Sequence, residues 1–320
     1  MANKKKSSKR PPPKGNMPAG PAKKSTPPKK AQAPRPKSSQ SSGQVKGRTS
    51  RQHRSNLGPA LMIGGVVAVV VLMVFVFITG TDDEAAQAGA SPGAVDKLTS
   101  IPVATLDAVG VASDPRNVNA LPAGTAPVVE DGKPVVLYFG SEACPFCAVQ
   151  RWPVTVALSR FGTFGGLEAT TSPPSPSTLP NTPTVTYHGA TYSSDYITLS
   201  SVETATRTGA ALETPDDLQS RLFSTYNVES VTGSNGGIPF MMVGNLYTWA
   251  GSQYDPGVLD DKTFDEIVDA LADPVTDVAL EIGTTANYLT AMICQLTGGE
   301  PADVCTSAGV QAAQTVFPPV

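Results

Sequence analysis

From Ala60 to Ile78 the chain runs for 19 residues without a charged side chain, inside an uncharged stretch from Ser55 to Thr81. At 1.5 Å per residue a helix of that length spans about 30 Å, the thickness of a bilayer's hydrocarbon core. One transmembrane helix is therefore expected over residues 59–80. A cleaved signal peptide is the competing reading, because Ala86-Gln87-Ala88 has the small residues of a cleavage site. Signal h-regions, however, run to about 7–15 residues behind a short leader, whereas a basic segment of 56 residues stands in front of this one. An uncleaved anchor fits better.

Charge is divided around that run. Residues 1–56 hold 16 of the 24 Lys and Arg and no Asp or Glu, while all 27 acidic residues lie beyond position 80 with the other 8 basic ones. The overall charge of −3 thus combines a tail of +16 with a body of −19. Arg48, Arg51 and Arg54 flank one end of the apolar run and Asp82, Asp83 and Glu84 the other, so the positive-inside rule places the N-terminus in the cytoplasm and the C-terminus outside. The tail, residues 1–58, is rich in Pro, Ser, Gly and Gln and offers little apolar surface to offset ordering entropy; it is expected to be disordered. Its lysines suit anionic lipid headgroups. Without interleaved aromatic residues to stack on bases, they do not suggest nucleic acid.

Residues 81–97 read as a polar linker, and residues 98–320 as one exported α/β domain. Within it, Pro134 to Phe139 (PVVLYF) has the unbroken apolar, β-rich character of a strand buried on both faces. Cys144-Pro145-Phe146-Cys147 follows, and Ala148 to Phe161 has helical character, with a kink expected at Pro153. Ser172 to Pro183 holds five prolines in twelve residues and predicts an irregular loop. Thr184 to Leu199 predicts a hairpin turning at His188-Gly189-Ala190. A helix capped by Thr214 is expected through Phe223, and a strand from Phe240 to Val243. Further helices are expected near Thr263–Leu271 and Thr276–Leu296, the latter with Ile282, Ala286, Leu289 and Ile293 facing the core.

The order strand, CxxC, helix, and later helix, Ile-Pro, strand resembles the thioredoxin superfamily. Lys133 to Cys147 is similar to its active-site strand and motif, and Gly237 to Val243 (GIPFMMV) to its cis-proline strand. CPFCAVQRWPVTVALSRFGTF (144–164), IPFMMVGN (238–245) and ANYLTAMICQLTGG (286–299) more closely resemble an uncharacterised family of membrane-anchored thioredoxin-like proteins of actinobacteria and archaea. The resemblance implies a thioredoxin-like domain with a large insertion. It also implies a membrane-tethered thiol–disulfide oxidoreductase acting on exported protein thiols or disulfides, with Pro239 as the cis proline opposite the cysteines. From the residues themselves no cofactor and no metal is expected. The sequence departs from thioredoxin itself at Tyr138, six residues before Cys144, where thioredoxin has a buried carboxylate. It departs again at Pro153, one residue late, and in the 92 residues from Cys147 to Pro239.

The chemistry needs a thiolate, and a Cys at a helix N-terminus becomes one readily. Cys144 is then the nucleophile and Cys147, just under one turn on, the resolving thiol. Three other readings stay open for this pair: a structural disulfide, a redox-inactive scaffold subunit of a membrane complex, and a metal site, for which the exported half offers only Cys294, Cys305 and His188 as further ligands, without metal-site spacing. Cys294 and Cys305, separated by a Gly-Gly-Glu-Pro turn, are expected to form a structural disulfide; the alternative is a relay that reloads the CxxC. His188 reads as a surface turn residue, Asn287 and Tyr288 as helix residues near the site or in solvent, and Trp152 and Trp249 as packing residues.

Overall fold

The computed structural model describes residues 88–317. The basic tail and the expected membrane helix lie outside the described residues, among which no helix is long and apolar enough to cross a membrane. Helices α1 (Ala94–Thr99) and α2 (Val103–Val109) come first, then strands β1 (Asn119–Ala120), β2 (Val129–Glu130) and β3 (Lys133–Gly140). Helix α3 (Pro145–Leu158) leads into four short strands, β4 (Thr163–Gly165), β5 (Glu168–Thr171), β6 (Pro183–Thr186) and β7 (Thr191–Ser193), and then β8 (Thr198–Glu203). Next come α4 (Asp217–Tyr226), α5 (Glu229–Thr232), β9 (Phe240–Val243) and β10 (Tyr247–Ala250). The last elements are α6 (Phe264–Leu271), α7 (Thr284–Leu296), α8 (Ala302–Cys305) and α9 (Ala308–Val316).

These elements form a mixed α/β arrangement around a mixed sheet of six strands. β3 pairs antiparallel with β9, from Val136 opposite Val243 to Phe139 opposite Phe240. It pairs parallel with β8, from Val135 beside Thr198 to Gly140 beside Glu203. β9 continues antiparallel into β10, and β10 into β1 at the edge. Side chains alternate along each strand. Val136, Tyr138, Met241 and Val243 therefore join one apolar cluster with Trp152, Ile282 and Ile293, while Val135, Leu137, Phe139, Phe240 and Met242 join another with Leu222. Both faces of β3 and β9 are thereby covered, as their continuous apolar sequences require.

Three expectations are corrected. Thr184 to Leu199 is not one hairpin: β6 pairs back with β5, and β7 with β4. The proline-rich loop from Ser172 to Pro183 thus connects two paired strands, and Ser172 Oγ ties it by accepting the Thr182 N–H at 2.8 Å. The stretch read as linker is folded from Ala88 onward. Ala88 and Ala94 are buried, and Ser91 N donates to Asp265 Oδ1 at the start of α6. Finally, α4 is capped by Asp216 rather than Thr214, because Asp216 and Gln219 close a reciprocal capping box.

Pro153 lies inside α3, which continues through it. Its missing N–H frees the carbonyl of Val149, four residues back. Tyr254 Oη donates to that carbonyl at 2.8 Å, so the buried acceptor is satisfied from outside the helix. The segment between α3 and β8 also grips the helix. Thr184 Oγ1 donates to Ala148 O at 2.8 Å, Tyr192 Oη to Leu158 O at 2.9 Å, and Trp152 Nε1 to Pro183 O at 2.9 Å. The C-terminal helices α7 and α9 complete this side. As expected, Ile282, Ala286, Leu289 and Ile293 are buried, although the helix opens with a π-helical turn over Ala279–Gly283.

Candidate functional site

β3 ends in a short loop that places Cys144 at the N-cap of α3 and Pro145 at its first turn, a position that needs no N–H. Cys144 is half-buried and Cys147 fully buried, and both are free. Cys144 Sγ accepts the Cys147 backbone N–H at 3.2 Å, a first-turn donor that it shares with the Cys144 carbonyl at 3.1 Å. The same sulfur lies 3.5 Å from the carbonyl of Ile238. The Ile238–Pro239 peptide is cis, and it leads directly into β9. Phe146, between the cysteines, is 39% exposed.

The two thiols are electrostatically unlike. A hydrogen bond from the Cys147 thiol, the backbone N–H groups of Cys147 and Phe146, and the Arg151 charge together outweigh burial and hold Cys144 below the usual thiol range. Burial pushes Cys147 well above it, helped by that same hydrogen bond to Cys144. The arrangement is an accessible sulfur suited to carry negative charge, with a protonated thiol beneath it.

Under the pair lies an ion pair that the sequence reading did not single out. Arg151 follows Cys147 by four residues, on the same face of α3. Its Nε donates to Glu203 Oε1 at 2.8 Å and its Nη2 to Glu203 Oε2 at 2.8 Å. Arg151 is 1% exposed and Glu203 not exposed at all. Arg151 Nη2 also donates to Ser141 O at 3.1 Å, a carbonyl that accepts the Cys144 N–H as well. Burial pushes the Glu203 carboxyl up from its ordinary range, against the pull of Arg151. Tyr138, six residues before Cys144, is fully buried, and its hydroxyl has no hydrogen-bond partner among the described residues. Its ring centroid lies 5.9 Å from the Arg151 guanidinium carbon. A side chain at Gly140 would run into the Tyr138 ring and its hydroxyl, so glycine lets this ring lie back over the strand end.

Other residues named from the sequence lie elsewhere. Asn287 does not serve the dithiol; its Nδ2 donates to Leu106 O at 2.8 Å and Gly110 O at 2.9 Å, closing the end of α2. Tyr288 Oη donates to Ser113 O at 2.5 Å. His188 occupies a turn and its Nδ1 lies 2.7 Å from Glu213 Oε1, while Glu213 Oε2 accepts the Glu203 backbone N–H at 2.7 Å. Cys294 and Cys305 form a disulfide joining α7 to α8. Among the described residues no group of three or more His, Cys, Asp or Glu is placed to hold a metal ion. Trp152 and Trp249 are buried packing residues.

The family described as "Domain of unknown function (DUF929)" matches residues 123–295. The chain belongs to this family. The matched residues of the family run from before β2 to the C-terminal part of α7, and so include Cys144, Cys147, Arg151, Glu203 and Pro239 but not Cys305. No curated protein and no solved structure matches the chain.

Proposed function

We propose that the chain is a membrane-tethered, extracytoplasmic thiol–disulfide oxidoreductase built on a thioredoxin-like domain with an insertion between α3 and β8. The observation that carries this reading is the asymmetric dithiol: Cys144 Sγ takes an N–H of Cys147 at 3.2 Å at a helix N-terminus, while the Cys147 thiol is buried behind it. An inert structural CxxC needs no such difference; exchange chemistry does, because only a thiolate attacks a disulfide. The strand–CxxC–helix unit with a proline-led antiparallel strand beside it supports the fold assignment. The apolar run Ala60–Ile78 and the charge split around it support the anchor and its orientation.

In the reducing direction, Cys144 thiolate attacks one sulfur of a substrate disulfide. A mixed disulfide forms, and the other substrate sulfur leaves as a thiolate. Cys147 then loses its proton and attacks Cys144 Sγ, releasing the first substrate sulfur and closing Cys144–Cys147. Two electrons pass to the substrate, and the reverse sequence oxidises substrate thiols. The test is a glutathione titration of the full-length chain. A reversible two-electron equilibrium at Cys144–Cys147, with Cys294–Cys305 unchanged, supports the reading; a pair that does not exchange with glutathione refutes it.

A further inference from the structure

The dithiol rests on a buried charge pair whose geometry reaches the loop that carries the nucleophile. Arg151 is held at both of its outer contacts, by the Glu203 carboxylate and by Ser141 O, the carbonyl that also receives the Cys144 N–H. Neither partner reaches solvent, and a buried pair of this kind is a poor source of net stability compared with apolar residues of the same volume. It is held on one side by Glu213, which accepts the Glu203 backbone N–H at 2.7 Å. The charged or titratable groups facing it are Glu142 and Glu213 around Glu203, and Tyr138, Tyr187 and the two cysteines around Arg151. The cation stands one turn from Cys147 on the same helix, and its pull on that thiol outweighs the opposing push of Glu203, which comes from β8.

We infer that Arg151 and Glu203 are positioning residues that bias the Cys144–Cys147 pair toward its dithiol form, so that the domain donates its disulfide to exported protein thiols. This rests on the oxidoreductase reading above and adds the direction of transfer. A substrate thiolate attacks Cys144 Sγ and breaks the Cys144–Cys147 bond. The released electron pair goes to Cys147 Sγ, which takes up a proton. A second substrate thiolate then attacks the substrate sulfur of the mixed disulfide. The substrate leaves with a new disulfide, two electrons poorer, and Cys144 leaves as a thiolate. That thiolate forms beside the Cys147 N–H and the Arg151 charge, which stabilise the product of the transfer more than its reactant. The electrostatic asymmetry of the two cysteines agrees with this direction: burial favours the proton on Cys147, and Arg151 favours charge on Cys144.

The test is the glutathione equilibrium of the full-length chain, read by alkylation and mass, for two variants with opposite electrostatic sign. Glu203→Gln leaves Arg151 unopposed and should move the equilibrium toward the dithiol by about threefold. The double variant Arg151→Met/Glu203→Leu removes both charges in favour of apolar volume. It should move the equilibrium about tenfold toward the disulfide, a change of about 30 mV for a two-electron couple. A mere loosening of the fold would move both in the same direction. Shifts of the same sign, or two variants within about twofold of the wild type, overturn the inference while leaving a redox-active wild type intact. A wild-type pair that does not exchange overturns both readings. If Glu203→Gln does not fold, the sign of the double variant's shift still decides.

Discussion

Cys147 serves Cys144 twice, donating its backbone N–H to Cys144 Sγ at 3.2 Å and keeping its own thiol buried and protonated behind it. The consequence is a pair that titrates in separated steps. Alkylation of the reduced chain should modify Cys144 first, with its rate levelling off below the roughly 8.5 of a free thiol. Cys147 should react only well above that value. For the reduced protein the linkage signs oppose. The lowered Cys144 contributes stability that is present above the unfolded thiol's pKa and lost as pH falls through its folded value. The raised Cys147 contributes stability that is present below the unfolded pKa and lost as pH rises. Equal alkylation rates at the two cysteines would contradict the assignment.

The buried ion pair predicts a non-additive mutant cycle. Arg151→Met alone strands the Glu203 charge in the interior and should cost about 3–5 kcal/mol in denaturant unfolding. The double variant with Glu203→Leu should recover most of that loss. Additive losses would mean that the two side chains are not energetically coupled.

The disulfide between α7 and α8 closes a short loop, its cysteines being 11 residues apart in sequence. Replacing Cys305 by Ser should lower stability by roughly 2–3 kcal/mol in the chain-entropy picture. Cys144 should remain as reactive as before, since this bridge ties helices and does not touch the dithiol. Non-reducing peptide mapping should recover Cys294 and Cys305 in one linked peptide; either one joined to Cys144 or Cys147 would restore the relay reading.

The charge split around Ala60–Ile78 predicts topology. Protease added to spheroplasts should digest the folded domain and spare a tag at Met1. Loss of the tag with survival of the domain would reverse the orientation.

Much of the scaffold was legible because its signals are local. PVVLYF reads as a doubly buried strand, and Thr263 begins α6 with the capping box expected of a Thr-x-x-Glu start. The CxxC helix and the Ile-Pro strand carry their own punctuation. What was missed depends on pairing. β8 (Thr-Leu-Ser-Ser-Val-Glu) looks like a polar, half-exposed segment, yet it lies parallel beside the central strand. Its buried Ser200 and Glu203 are satisfied internally: Gln219 Nε2 donates to Ser200 Oγ at 3.1 Å, and Arg151 to Glu203. Once β8 is overlooked, so is Glu203. Arg151 left one trace, as the lone charge in the helical stretch from Cys147 to Leu158. The false hairpin has the same origin, since alternation shows which stretches are extended but not which neighbour they choose.

The central claim, that Cys144 attacks and Cys147 resolves, is tested most directly by trapping in intact cells. Removing the resolving thiol with Cys147→Ala leaves any mixed disulfide at Cys144 without its internal exit. Cells expressing the full-length Cys147→Ala chain, quenched with acid and run without reductant, should show adducts between the chain and exported proteins that collapse on reduction. The Cys144→Ala chain should show none. Adducts absent from both variants, or equally abundant in the two, would contradict the account.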